Sequence, residues 1–94
     1  MARTKPASKT LEKMRLNPKG DWQISDIVKV CRDLGMHCQP PTGGGSHYKV
    51  SSHEPVIKEI LTIPNRKPIK PPYIRDFVKL ADKHMQAAKD HPGT

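Results

Sequence analysis

Aromatic side chains are scarce in this chain. One Trp, one Phe and two Tyr are spread over 94 residues. A core built from it must be mostly aliphatic. Long apolar runs are missing as well: no stretch approaches the roughly 20 residues a helix needs to cross a bilayer. An integral helical membrane protein is excluded on that ground. No apolar segment follows the basic start Met1-Ala2-Arg3-Thr4-Lys5-Pro6. A secretory leader is therefore not expected, and the cytoplasm is the expected compartment. Cysteine is limited to Cys31 and Cys38, with six residues between them. That is not CxxC spacing and there is no second pair, so no metal or other cofactor is expected. Both thiols read as reduced, small core residues.

Acidic residues are also in short supply. Nine Asp and Glu face 17 Lys and Arg, for a net charge of +8. The excess is uneven. Residues 1–20 carry +5 and the remaining 74 residues carry +3. A basic chain of this size, with a negative mean hydropathy, suits nucleic acid or an acidic protein as partner. A solubilising surface with no specific anion is the plainer alternative. The length fits one domain with a modest core.

The chain divides by composition into a basic N-terminal extension, residues 1–20, and a domain over residues 21–90. In the extension, Leu11 and Met14 lie between Pro6 and the turn Asn17-Pro18-Lys19-Gly20. Two helical turns with so thin an apolar face are marginal alone. The segment packs on the body, grips a partner or stays free.

In the domain, Ser25 reads as a helix N-cap with Asp26 in the first turn. Ile24, Ile27, Val28, Cys31 and Leu34 recur at helical spacing, and Gly35 stands where a left-handed stop is wanted. Trp22 reads as a plug at one end of the core, or as a platform for a base. Met36–Gln39 is a short strand, stopped by Pro40-Pro41. Ser46–Ser52 and Val56–Ile63 are two more, joined by a short turn and hence antiparallel. Pro64–Lys70 is a basic connector. From Pro71-Pro72 a last helix runs to about Lys89, with Ile74, Phe77, Val78, Ala81, Met85 and Ala88 on its inward stripe. The expected fold is α+β: a small α-β-β-β-α domain, with a three-stranded antiparallel sheet and two helices on one face.

The two-residue period of a strand puts Tyr48 and Val50 on one face, inward, and His47, Lys49 and Ser51 on the other, toward solvent. Three glycines, Gly43, Gly44 and Gly45, lead into Ser46 and His47. Glycine amides can meet a phosphate oxygen, and an imidazole can move protons near neutral pH. Lys49 falls about 6.5–7 Å along the same face. This is a set suited to RNA, which carries its own nucleophile in the ribose 2′-OH and needs no metal to generate one. The other histidines offer less. His37 stands on a short strand, His53 in a turn, His84 on the wet side of the last helix and His91 in the tail, and all four read as solvated or structural.

Four segments together resemble one known family. They are Gly20-Asp21-Trp22 through Leu34-Gly35, Gly44-Gly45-Ser46-His47, Leu61-Thr62-Ile63-Pro64 and Tyr73-Ile74-Arg75-Asp76-Phe77. Over residues 20–82 the chain resembles the HicA toxins of type II toxin–antitoxin systems. The most specific piece is Gly-Gly-Ser-His entering a strand. The resemblance implies an mRNA interferase with a fold like the double-stranded-RNA-binding domain. It places catalysis on His47 and motif positions on Gly45 and Ser46, and it implies neutralisation by a HicB-like antitoxin that covers the active face. One departure stands out. Many members have a histidine soon after the strand-ending proline, and here Asn65-Arg66-Lys67 follows Pro64.

The expectation is therefore a metal-independent endoribonuclease toxin, monomeric when free, without a membrane partner. His47 is its catalytic residue. Gly44, Gly45, Ser46, Lys49, Arg66, Lys67 and Lys70 contact RNA. The alternatives are a non-catalytic RNA-binding module on the same fold and a protein-interaction domain with a basic surface.

Overall fold

A computed structural model describes residues 8–43 and 45–90. The arm before residue 8, Gly44 and the tail with His91 lie outside the described residues. Six elements follow one another: α1 (Lys9–Leu16), α2 (Ile24–Leu34), β1 (His37–Gln39), β2 (His47–Ser51), β3 (Ile60–Pro64) and α3 (Pro71–Asp90). The chain is α+β, and the expected α-β-β-β-α succession is preceded by one further helix. Among the described residues, no helix is long and apolar enough to cross a membrane.

The strands form one antiparallel sheet in the order β1-β2-β3. Its register sorts the two faces. Cys38 lies opposite Val50, Val50 opposite Leu61, and Tyr48 opposite Ile63. These residues share the face that meets the helices, where Val50 and Ile63 are fully buried. Ile27, Val30 and Cys31 of α2 and Ile74, Phe77, Val78 and Ala81 of α3 complete an almost wholly aliphatic core. Burying a side chain of Val, Ile or Phe size contributes about 1.5–3 kcal/mol, so this single layer of contacts is the main force holding the sheet to the helices.

The opposite face stays in water. His37, Gln39, His47, Lys49, Ile60 and Thr62 are all exposed on it. Lys49 stands between Gln39 and Thr62, and His47 faces Pro64. The expected outward direction of His47, Lys49 and Ser51 is thus what the pleat produces. β3 is shorter than expected at its start. Val56 is outside it and exposed, because the turn after Ser52 continues through residue 56 and the chain is irregular to residue 59.

The segment read as an extension is part of the core. Leu11 is 1% exposed and Met14 is 0% exposed, both packed in the main cluster. The division at residue 20 is therefore not a boundary in the packing. Ser8 caps α1: its Oγ accepts the Leu11 N–H at 3.2 Å and donates to Asp33 Oδ2 at 2.9 Å. Arg15 grips Asp82 of α3 with two bonds, at 2.6 and 2.8 Å. That pairing holds the guanidinium pKa above its ordinary value.

α1 lies against α3, and α3 is buried on a wider stripe than expected. Leu80 and Ala87 are buried in addition to the expected positions, and Ala88 is exposed. His84 corrects the sequence reading most sharply. It is 2% exposed, not on the wet side. Its Nε2–H donates to the Leu34 carbonyl at 2.8 Å, so its Nδ1 accepts the Ser52 hydroxyl at 2.5 Å. Ser52 Oγ in turn accepts the Glu54 N–H at 3.0 Å.

The start of α2 is also corrected. Its N-cap is Gln23 rather than Ser25, and the Gln23 N–H donates to the Asp26 carboxylate at 2.9 Å. Gly35 ends the helix with φ 74°, the left-handed stop expected of it. Trp22 packs half-buried against the core, and its indole N–H donates to the Asn17 carbonyl at 2.7 Å.

Candidate nucleic-acid interface

Two devices bring His47 to the surface. The first is the stop Pro40-Pro41, which cannot continue β1 and sends the chain across the end of the sheet. The second is the glycine turn. Gly43 has φ 63°, a conformation in which a β-carbon is strained, so the tight return into β2 needs glycine there. β2 then begins at His47 itself. The Ser46 carbonyl accepts the Asn65 N–H at 2.8 Å, which pins the turn to the far end of β3.

A cleft of about 310 Å³ opens at this corner. Its walls are Gly45, Ser46, His47 and Lys49 on one side, and Gln39, Pro40, Pro41 and Thr42 on the other. Four of the five expected residues on the turn and the strand, Gly45, Ser46, His47 and Lys49, thus line one concavity; the fifth, Gly44, is outside the described residues. None of the eight lining residues is acidic. The Gly45 N–H points at the Thr42 carbonyl at 3.4 Å, a long bond that an anionic oxygen can displace.

Gln39, Pro40, Pro41 and Thr42 were not expected in the site. The register that places Gln39 beside Lys49 is a cross-strand property, and one sequence read alone does not display it. Tyr73 packs against the core at the start of α3 and is not part of this cleft.

Arg66, Lys67 and Lys70 do not join His47. They line a second cleft, of about 430 Å³, together with Lys19, Gly20, Pro68, Ile69 and Pro71. The residues expected to contact RNA therefore line two clefts. Arg66 follows Pro64 by two residues, and Pro64 is the register partner of His47, so the second cleft begins toward the His47 end of the sheet.

His37, His53 and His84 gather at the opposite end of β2. The rings of His37 and His53 are 5.9 Å apart, and those of His53 and His84 are 5.1 Å apart, both edge to face. His37 and His53 are exposed and His84 is fixed in the interior. Among the described residues, no group of three or more His, Cys, Asp or Glu is placed to hold a metal ion. Cys31 and Cys38 are both free. Their hydrogen bond raises the Cys31 pKa, as burial also does, and lowers that of Cys38.

Compared with known proteins, the chain matches no family model, no curated protein and no solved structure.

Proposed function

We propose that this protein is a metal-independent endoribonuclease that cuts mRNA with His47, the toxin of a HicA/HicB-type pair. The observation that carries the proposal is the cleft itself. An exposed imidazole stands at the mouth of β2, beside Ser46 and Lys49, on a sheet face that is open to solvent and carries no acidic residue in the cleft. The resemblance of Gly-Gly-Ser-His to the HicA motif, and a three-stranded antiparallel sheet backed by helices as in the double-stranded-RNA-binding domain, point the same way.

The chemistry is a transesterification. The ribose 2′-oxygen bonds to phosphorus, the bond from phosphorus to the 5′-oxygen breaks, and one proton passes from O2′ to O5′. His47 is the group that carries that proton. Lys49 offsets the charge that builds on the non-bridging oxygens, and Ser46 with the Gly45 amide orients them. The products are a 2′,3′-cyclic phosphate and a free 5′-hydroxyl. The work of the toxin belongs in the cytoplasm, where its substrate is translated, and an antitoxin that covers the exposed sheet face silences it.

The test uses two substrates of one sequence, an RNA strand and its DNA counterpart. The RNA should shorten with time and the DNA, lacking the 2′-hydroxyl, should stay whole. Cleavage of both would contradict the mechanism. Binding without cleavage of either would favour a non-catalytic RNA-binding module.

A further inference from the structure

The second cleft has features that the chemistry at His47 does not use. Four cations converge on it: Lys19 from the turn before α2, and Arg66, Lys67 and Lys70 from the connector after β3. Not one lining residue is acidic. All four are exposed, and among the described residues none has an ion-pair partner. Elsewhere three Lys or Arg side chains do have partners. Arg15 meets Asp82, Lys29 meets Asp33, and Lys83 meets Glu59. Like charges held around a concavity repel one another, and an anion relieves that repulsion.

The walls are fixed by the core rather than by the lysines. Ile69 is buried and its N–H donates to the Trp22 carbonyl at 2.8 Å. On the other wall, the Gly20 N–H donates to Asn17 at 3.0 Å and the Trp22 N–H to Gly20 at 2.9 Å. A β-carbon on Gly20 would come within 3.0 Å of the Trp22 indole nitrogen, so this wall is packed tightly. The start of α3 adds no free amide. Pro71 and Pro72 have no N–H, and those of Tyr73 and Ile74 both go to the Lys70 carbonyl. Recognition falls to the four side chains.

We propose that this cleft is a phosphate-binding site that holds the RNA backbone beside the bond cut at His47. That the ligand is RNA rests on the nuclease reading; the anion site itself does not. The lining carries no aromatic ring on which a base could stack, so it takes the backbone irrespective of sequence. Its adjacency to the first cleft, through the Asn65–Ser46 bond, lets one strand occupy both. The site then supplies affinity while the first cleft supplies chemistry.

The test measures binding of a labelled single-stranded RNA to the His47→Ala protein, which keeps its substrate intact. Onto it are placed Lys19→Gln with Lys70→Gln, or, as an equal charge change elsewhere, Lys9→Gln with Lys13→Gln. All four positions are exposed, so circular dichroism should show every variant folded. The cleft pair should weaken binding by about tenfold or more. Its slope of log affinity against log salt should fall by about 1.4, since each single-strand phosphate contact contributes about 0.7. The control pair should change affinity less than threefold. Equal losses from the two pairs, or no loss from the cleft pair, would overturn the site. Should the wild type fail to cut RNA while the cleft pair still weakens binding, the nuclease reading falls and the site stands. Should His47-dependent cutting hold while the cleft pair binds like its parent, the site falls and the nuclease reading stands.

Discussion

Asn65 donates its backbone N–H to the carbonyl of Ser46 at 2.8 Å. This one bond ties the residue before the histidine to the start of the basic connector. It joins the turn that lines the first cleft to the connector that lines the second. The division of labour between them yields the first prediction. Lys49 is exposed and, among the described residues, pairs with no carboxylate, so Lys49→Gln should leave the melting temperature within about a degree. RNA cleavage should nevertheless slow at least tenfold, as expected when a charge aimed at the transition state is removed. An unchanged cleavage rate, measured on a labelled RNA under single-turnover conditions, would take Lys49 out of the chemistry.

The first helix is structural. Leu11→Ala should lower stability by about 2–5 kcal/mol, the range for emptying a buried leucine site. Urea denaturation followed by circular dichroism measures it. Removing residues 8–20 should leave a chain that does not fold cooperatively, whereas a detachable arm would come away with stability intact.

His84 should matter for stability and not for chemistry. His84→Ala removes the acceptor for Ser52 and the donor for Leu34, leaving both oxygens in a buried site. A loss of about 2–4 kcal/mol is expected, combining a cavity with unpaired polar groups. Cleavage per folded molecule, with folding assessed in the same sample, should match the wild type. A folded His84→Ala protein with no activity would move the catalytic assignment toward this histidine.

The two thiols should differ in reactivity. The hydrogen bond from Cys31 lowers the pKa of Cys38, against the opposing effect of its burial. Cys38 is therefore thiolate to a greater extent than an ordinary cysteine at a given pH, and the thiolate is the species alkylated. Iodoacetamide should label Cys38 alone in the native protein, with the pH midpoint of its rate below that of a free cysteine. Cys31, raised by the same bond and by burial, should label only on unfolding. Mass spectrometry of the digested protein separates the two, and comparable labelling of both would contradict the pairing.

Much of this structure was legible in the sequence, and the gaps have physical causes. The alternation Tyr48, Val50 against His47, Lys49, Ser51 set the two faces of β2, because a strand has no other way to place them. Gly35 marked the end of α2 through its left-handed backbone. Periodicity failed where burial comes from two directions. α3 meets the strands on one side and α1 on the other, and His84 is inside because Ser52 and the end of α2 at Leu34 close over it, although a single-stripe reading puts it in water. Leu11 and Met14 were visible as an apolar pair, but nothing local says that α3 offers them a surface. The turn and strand residues of the candidate site were legible because Gly45, Ser46, His47 and Lys49 are close in sequence. Gln39 and Lys19 were not, since only the sheet register and the packing of Trp22 against the connector bring them to the clefts.

The central claim is that the His47 ring carries the proton in RNA cleavage. It is tested most directly by comparing wild-type and His47→Ala proteins on the same labelled RNA, with EDTA present throughout. His47 is exposed, so both proteins should show the same circular dichroism and melting temperature. The expected result is full cleavage by the wild type in EDTA and a loss of at least a hundredfold on substitution. Cleavage by His47→Ala at the wild-type rate, or a wild type that stops cutting when metal is chelated, would contradict it.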